Sequence, residues 1–139
     1  MRMEKMYRAW GHEFTEEMSG VEAGMSRFID TSRDFLGCEV VRQREADGGE
    51  IELAYLAFDD DLACECFGNE AVFHDGDLVG IVTSGAYGHR VGYSLAFAYI
   101  KPGLLEQGRT LQVETTLGMR QAHIEMDAVY DPTNALLRS

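Results

Sequence analysis

The N-terminal stretch of the chain brings charged and aromatic side chains close together. Arg2 and Glu4 are followed by Tyr7 and Trp10 within the segment MRMEKMYRAWG. A flat aromatic surface beside a charge pair is the combination that binds a flat heterocyclic ligand. The alternative is that Arg2 and Glu4 form a structural ion pair while Tyr7 and Trp10 fill the core. Composition alone favours this second interpretation.

Two cysteines, Cys64 and Cys66, together with His74 could begin a metal site. A structural zinc site takes four ligands, usually with C-x2–4-C spacing, and the second half of such a set is missing from the sequence. The simpler interpretation is that the cysteines pack as small hydrophobic side chains. We therefore predict no metal site. Three cysteines, the third being Cys38, do not all pair within one chain, which favours the reducing cytoplasm.

Other polar motifs do not match the pattern of a nucleophile, nucleotide or cation site. Thr83-Ser84-Gly85 lacks the G-x-S-x-G order and is typical of a strand that enters a turn. Gly85 and Gly88 lack the helix that a dinucleotide fingerprint requires, so they predict positive φ or close approach of strands. The acidic run Asp59–Asp61 lacks the further ligands of a calcium loop and predicts a solvated turn.

The charge balance of the chain restricts its partners. Twelve Lys and Arg residues against 24 Asp and Glu give a formal net charge of −12. Such a charge repels phosphate backbones and anionic lipids, so we expect no nucleic-acid and no membrane partner. The positive charges cluster at Arg2, Lys5 and Arg8 and at Arg42 and Arg44, which leaves room for a local site for an anionic ligand. No apolar run has the length of a signal peptide or a membrane span.

Helical patterns are confined to the first third of the chain. From His12 to Asp30 the apolar residues recur at three- and four-residue intervals, but the intervening glycines favour a short helix or turn followed by an irregular or extended piece. A second helix is predicted after Asp34, where apolar residues are followed by Arg42 and Arg44 and then by two glycines.

After Gly49 the hydrophobic period changes from that of a helix to that of a strand. The segment Leu78–Ile100 predicts two buried core strands joined by a glycine-rich loop, and Asp75-Gly76 predicts a type I′ hairpin just before it. Five to seven short strands without an intervening helix predict a mainly β protein with a short α/β N-terminal segment. The predicted architecture is an antiparallel, Greek-key-like β-barrel that begins near residue 49.

The order of several motifs resembles the C-terminal part of the glycine-cleavage T-protein (aminomethyltransferase) family. The strongest likeness is to the folate-binding region of dimethylglycine and sarcosine dehydrogenases. The stretches that carry it are RMEKMYRAWG, VEAGMSRFID, RDFLGCEVVRQRE, DGDLVGIVTSGAYGHRVGYSLAFAYIKP and YDPTNALLR.

The resemblance implies a remnant of a folate-binding domain over residues 1–48 and a C-terminal β-barrel domain over residues 49–139. It also implies that tetrahydrofolate is the cofactor and captures a one-carbon unit. By their positions in the motifs, the residues implied to bind it are Arg2, Glu4, Tyr7, Trp10 and Arg138.

The catalytic aspartate of the family belongs to an N-terminal part that this sequence lacks, so the resemblance implies no catalytic residue here. We interpret the chain as a truncated or split aminomethyltransferase module that contributes to a tetrahydrofolate site and is not active alone. Its partner would be a polypeptide that carries the N-terminal folate domain. The alternative is a non-catalytic module that self-associates through Met3, Met6, Met18 and Met25, although these methionines could equally fill a core.

Overall fold

A computed structural model describes residues 1–60, 63 and 66–138 of the chain. In this described part, short 3₁₀ turns occur at Met3–Lys5 and Ser26–Phe28, and one α-helix, α1, spans Cys38–Asp47. The strands are β1 Glu52–Phe58, β2 Ala71–His74, β3 Asp77–Gly88, β4 Tyr93–Ile100, β5 Thr110–Thr115 and β6 Gly118–Glu125.

The strands form a closed barrel in the order β1-β4-β3-β2-β5-β6, with β6 pairing back onto β1. Neighbouring strands are antiparallel throughout the barrel. Because β1 lies between β4 and β6, the connections from β1 to β2 and from β4 to β5 pass over other strands, as in a Greek key. The prediction of a mainly β, antiparallel, Greek-key-like barrel is confirmed.

Hydrophobic side chains pack in two layers, one inside the barrel and one outside it. The inner layer takes alternate residues from the strands, including Leu56 and Ile100. The outer layer covers the other face of β1 and β4, where Tyr55 and Phe97 pack against each other with ring centroids 5.2 Å apart. Met3 from the N-terminal segment completes this layer, so β1 and β4 are buried on both faces.

The hairpin between β2 and β3 has the geometry predicted from its sequence. Asp75 has a φ of 52° and Gly76 a φ of 86°. Type I′ turns require positive φ at both central residues, and Asp-Gly is one of the pairs that tolerates this conformation. The prediction of this hairpin is therefore confirmed, and it fixes the pairing of His74 with Asp77.

The predicted turn at Thr83-Ser84-Gly85 is wrong, because β3 continues to Gly88, with a shift of its register against β4 between Val82 and Ser84. The glycines allow close packing along the strand. A Cβ on Gly85 would lie 2.8 Å from the Cβ of Cys66, and one on Gly88 would lie 3.1 Å from the carbonyl oxygen of Tyr93. Close approach, one of the two roles predicted for these glycines, is the one observed at both positions.

The N-terminal region is less helical than its sequence pattern allows. Residues 12–30 form turns, and the piece predicted to be irregular or extended contains the 3₁₀ turn Ser26–Phe28. The predicted helix before Gly48 is present as α1, but it begins only at Cys38 because Gly37 has a φ of 85°.

The N-terminal segment lies directly on the barrel. The backbone N–H of Leu53 on β1 donates to the carbonyl oxygen of Glu22 at 3.1 Å, and the hydroxyl of Tyr55 donates to the carbonyl oxygen of Met3 at 2.7 Å. A domain boundary between residues 48 and 49 stays a prediction. Among the described residues, no helix has the length and apolar character needed to cross a membrane. Location in the cytoplasm also stays a prediction.

Candidate functional site

Two clefts lie side by side where the N-terminal segment meets the barrel. Cleft A has a volume of about 480 Å³ and cleft B a volume of about 560 Å³. Lys5 and Tyr7 line both clefts and form the wall that they share. Cleft A is also lined by Arg2 and Glu4. Three of the predicted site residues therefore line one cleft.

Arg2 pairs with Glu13, a residue that the sequence patterns did not single out. The Arg2 Nη1 atom lies 3.1 Å from Glu13 Oε2, and it also donates to the carbonyl oxygen of Tyr7 at 3.1 Å. The Arg2 Nη2 atom donates to Ser84 Oγ at 3.1 Å. The guanidinium thus holds the backbone at Tyr7 against β3, and Glu4 is not the ion-pair partner that the sequence alternative suggested.

The carboxylate of Glu13 is fully buried and satisfied on all sides. The backbone N–H of Ala9 donates to its Oε2 at 2.7 Å, and the hydroxyls of Thr83 and Ser84 donate to its Oε1, the first at 2.8 Å. A buried carboxylate requires such a set of donors. In the sequence, one feature indicated that a buried acceptor such as Glu13 was needed. This feature is the pair of adjacent hydroxyls at 83 and 84 within an apolar run, because buried hydroxyls need a hydrogen-bond acceptor.

Tyr99 on β4 secures the same segment from the other side. Its hydroxyl donates to the carbonyl oxygen of Glu13 at 2.7 Å. Burial raises the pKa of Tyr99 to about 12, and the negative charges of Glu13 and Glu22 add to that effect. The phenol is therefore a neutral donor at physiological pH.

Glu4 is buried and holds the turn between β3 and β4. Its Oε1 accepts a hydrogen bond from the backbone N–H of Arg90 at 2.6 Å, and its Oε2 lies 3.4 Å from the N-terminal ammonium of Met1. Burial opposes ionisation of Glu4, but these hydrogen bonds and the ammonium charge outweigh it and lower the pKa. Glu4 is thus an ionised side chain at the base of cleft A.

The two aromatic residues do not fill the core. Tyr7 is 51% exposed and Trp10 is 81% exposed. Tyr7 lines both clefts, whereas Trp10 lines neither and forms an isolated bridge with Phe14. The core-filling alternative from the sequence is therefore wrong for both rings, and Tyr7 presents an aromatic surface at the mouth of the clefts.

Arg138 lies in the exposed C-terminal segment. Its backbone N–H donates to the carbonyl oxygen of Asn134 at 3.2 Å, and its neighbours Leu136 and Leu137 line cleft A while Arg138 itself does not. Arg138 and Trp10 thus lie outside the cleft that the other predicted residues share. Folate binding by the five residues stays a prediction.

Lys5 joins the N-terminal segment to the C-terminal one. Its Nζ atom lies 3.1 Å from Asp131 Oδ2 and donates to the Asp131 carbonyl oxygen at 2.6 Å. Desolvation raises the pKa of Asp131, but the hydrogen bond from Lys5 outweighs it and lowers that pKa overall. Lys5, which forms part of the wall shared by the two clefts, is therefore fixed to the C-terminal segment.

The methionines of the N-terminal segment lie against the barrel. Met3 is buried in the outer hydrophobic layer, and Met6 and Met18 pack against it. Met25 lines cleft B. Core filling, one of the two interpretations of these residues, describes the first three.

The structure shows no arrangement for a metal ion in the part of the chain that it describes, where no three His, Cys, Asp or Glu side chains are placed to hold one. The side chain of Cys66 is buried in the barrel core. Cys64 lies outside the described residues, so the sequence prediction about the cysteine pair remains a prediction.

These observations define a class: a closed, six-stranded antiparallel barrel whose outer face carries an N-terminal layer with an open aromatic and cationic cleft. The model of the glycine cleavage T-protein C-terminal barrel domain matches residues 52–131. The chain belongs to this family, as the motif resemblance predicted.

Individual relatives agree with this assignment. Dimethylglycine dehydrogenase of Homo sapiens is 38% identical over 117 residues, and the aminomethyltransferase of Corynebacterium aurimucosum is 35% identical over 116 residues. Each match covers 82% of this chain, but only 13% and 31% of the respective relatives. This chain therefore spans less than a third of the curated relatives that it matches.

The fold is shared with a solved structure of the same family. The crystal structure of aminomethyltransferase T of the glycine cleavage system from Bartonella henselae superimposes with a TM-score of 0.83 at 15% sequence identity. The match covers 94% of this chain and 37% of that one. At this identity the likeness establishes the fold.

Proposed function

We propose that this chain forms one part of a tetrahydrofolate-dependent one-carbon transfer site and does not act alone. The observation that carries the proposal is the half-exposed ring of Tyr7, which stands on the shared wall of the two clefts beside Arg2 and the ionised Glu4. A flat heterocycle gains stacking surface on the ring and the partly exposed guanidinium of Arg2 beside it, while Glu4 lies buried below.

The need for a second part follows from the openness of the site. Sites for molecules of this size normally bury most of the ligand's surface. Here Tyr7 offers one wall, and Trp10 and Arg138 are exposed side chains that a covering segment could contact. The relatives extend well beyond the matched region. We propose that the remaining wall comes from another stretch of polypeptide.

Isothermal titration of the chain with tetrahydrofolate tests the first half of the proposal. We expect binding that is weak or absent, with no turnover of an aminomethyl donor. Micromolar affinity together with turnover by this chain alone would overturn it.

A chimera tests the second half. This chain replaces the matching 116-residue segment of the Corynebacterium aurimucosum aminomethyltransferase, and the activity with tetrahydrofolate is measured. We expect the chimera to be active and Tyr7→Ala to raise its KM for tetrahydrofolate about tenfold. Phe67→Ala, which removes an exposed ring outside both clefts, is the matched control and should leave KM unchanged. Equal effects of the two variants would contradict the proposal.

A non-catalytic interaction module is the second candidate function. It is supported by α1, which buries only Cys38. Phe35 and Leu36 are exposed just before this helix, and Val40 is exposed in its first turn. Such a group of exposed apolar side chains is typical of a contact surface. Light scattering that finds a monomer at high concentration would count against self-association through this surface.

A further inference from the structure

We infer that His123 is a pH-dependent switch, which holds Glu125 in the wall of cleft B only while its imidazole ring is charged. His123 lies on β6 and lines neither cleft. One of its ring nitrogens faces Asp59, and the other faces Glu125. The switch and its test do not depend on which ligand the clefts bind, so the inference is independent of the function proposed above.

The barrel places the imidazole ring between two carboxylates. Residues of β6 alternate between the buried interior and the outer face, so His123 and Glu125 both point outward. On the neighbouring strand β1, Ala57 pairs with His123. Asp59 follows Ala57 by two residues and therefore comes to the same outer face, on the other side of the ring.

Both ring nitrogens of His123 lie within hydrogen-bond distance of a carboxylate oxygen. Nδ1 is 2.6 Å from Asp59 Oδ1, and Nε2 is 3.0 Å from Glu125 Oε1. An ionised carboxylate only accepts hydrogen bonds, and a neutral imidazole has a single N–H to donate. The two contacts can therefore be hydrogen bonds at the same time only when the ring is an imidazolium.

Strand β5, on the other side of β6, presents uncharged side chains to this ring. Thr110 pairs with His123, and Gln112 is the next residue of β5 on the same face. In the connection before β5, Glu106 and Arg109 form an ion pair with each other. Within the described part of the chain, the charges that act on the ring are thus the two carboxylates that it contacts.

The contacts fix the pH range in which the switch operates. Burial of the ring lowers the pKa of His123, but the hydrogen bonds to Asp59 and Glu125 outweigh burial and raise the pKa overall. An unfolded histidine ionises near pH 6.5. Both hydrogen bonds are therefore complete below about pH 6.5, and one of them is lost as the pH rises through the raised value.

Loss of the proton should release Glu125 and keep Asp59. The contact to Asp59 is the shorter of the two, and Glu125 has a second donor, because Gln107 Nε2 donates to its Oε2 at 2.7 Å. The remaining proton thus stays on Nδ1, and the lone pair of Nε2 then faces Glu125 Oε1. Two acceptors at such a distance repel each other. Because Glu125 lines cleft B, the charge of His123 controls the position of a side chain in the wall of that cleft.

Crystal structures of the intact chain at pH 6 and at pH 9 test the release. We expect the contact between His123 Nε2 and Glu125 Oε1 at pH 6 and a separation beyond about 3.5 Å at pH 9, where a hydrogen bond is no longer made. The contact of Nδ1 with Asp59 should be present at both pH values. NMR of the imidazole nitrogens should show both of them protonated at pH 6 and Nδ1 alone at pH 9.

The variant Glu125→Gln distinguishes the switch from mere proximity. Its amide group can donate to the lone pair of the neutral ring, so the contact with Nε2 should persist at pH 9. The same variant removes a negative charge beside the ring and should lower the pKa of His123. Glu114→Gln removes the same charge from an exposed position on β5 and should lower that pKa much less.

A contact between Nε2 and Glu125 that persists at pH 9 in the parent chain would overturn the inference. An equal fall of the His123 pKa in the Glu114 and Glu125 variants would also overturn it. So would a neutral ring that is protonated at Nε2, because deprotonation would then release Asp59 and leave Glu125 in place.

Discussion

The carboxylate of Glu13 is enclosed between the N-terminal segment and β3, and it accepts a hydrogen bond from the guanidinium of Arg2 at 3.1 Å. The same carboxylate accepts from the backbone N–H of Ala9 and from the hydroxyls of Thr83 and Ser84. One side chain therefore joins the loop that carries Tyr7 to the barrel, and it does so across about half of the chain.

Replacement of Glu13 by Gln should destabilise the fold by about 2 kcal/mol, because the amide nitrogen cannot accept the hydrogen bonds that the carboxylate oxygen accepted. Urea unfolding measures the loss. Trp10, the sole tryptophan of the sequence, lies in the same loop and reports its mobility through fluorescence anisotropy. Glu17→Gln, at an exposed position, is the control. Unchanged stability and anisotropy in Glu13→Gln would show that the network does not hold the loop.

Tyr99 should make the stability fall at alkaline pH. Its pKa is raised to about 12 in the folded protein, whereas an unfolded tyrosine ionises near pH 10. The stabilisation is therefore complete below about pH 10 and is lost as the pH rises toward 12. In urea unfolding, Tyr99→Phe should cost about 1 kcal/mol at pH 8 and less at pH 11.

Tyr7→Phe, which changes an exposed ring, is the control. It should leave the loss of stability at alkaline pH as large as in the parent chain. A Tyr99→Phe variant whose stability falls with pH as steeply as that of the parent chain would contradict the assignment.

Gly80→Ala should disrupt the pairing of β3 with β4. A Cβ at Gly80 would overlap the carbonyl oxygen of Tyr99 and lie 2.9 Å from the Cα of Ile100, so the clash is with backbone that cannot rotate away. We expect a loss of about 3 kcal/mol. Gly76→Ala meets no atom within 4 Å and should cost only about 1 kcal/mol, the strain of its positive φ. Thermal unfolding that ranks the two variants in the opposite order would be inconsistent with this packing.

His123 should stabilise the barrel more at acid pH than at alkaline pH. Its Nδ1 atom lies 2.6 Å from Asp59 Oδ1 and its Nε2 atom 3.0 Å from Glu125 Oε1. Desolvation lowers the pKa of His123, but the hydrogen bonds to the two carboxylates outweigh it and raise the pKa overall. The stabilisation is therefore full below about pH 6.5 and is lost as the pH rises through the raised value.

The variant His123→Gln should thus lose stability at pH 6 and little at pH 9. About a third of the side chain is exposed, so we expect a loss below about 1 kcal/mol. Denaturant midpoints at both pH values measure it, with His12→Gln at an exposed position as the control. A larger loss at pH 9 than at pH 6 would refute the proposed charge state.

The sequence by itself determined the elements whose signals are local. The alternation after Gly49 gave the strands of the barrel, and Asp75-Gly76 gave the hairpin, because a pattern of period two and a turn that needs positive φ are properties of neighbouring residues. The motif order also identified the family. Local signals did not predict the length of β3. Gly85 lies within this strand because it packs closely against Cys66, which comes from another part of the fold.

Only the tertiary structure decided the site. Glu13 meets Ser84 across 71 positions of the chain, and the exposure of Tyr7 depends on how the N-terminal segment lies on β1 and β4. Likewise, Arg8 and Arg27 come to line the same cleft only once the loops of residues 7–28 have folded onto the barrel. Such pairings arise from packing between distant segments, so no local period or spacing encodes them.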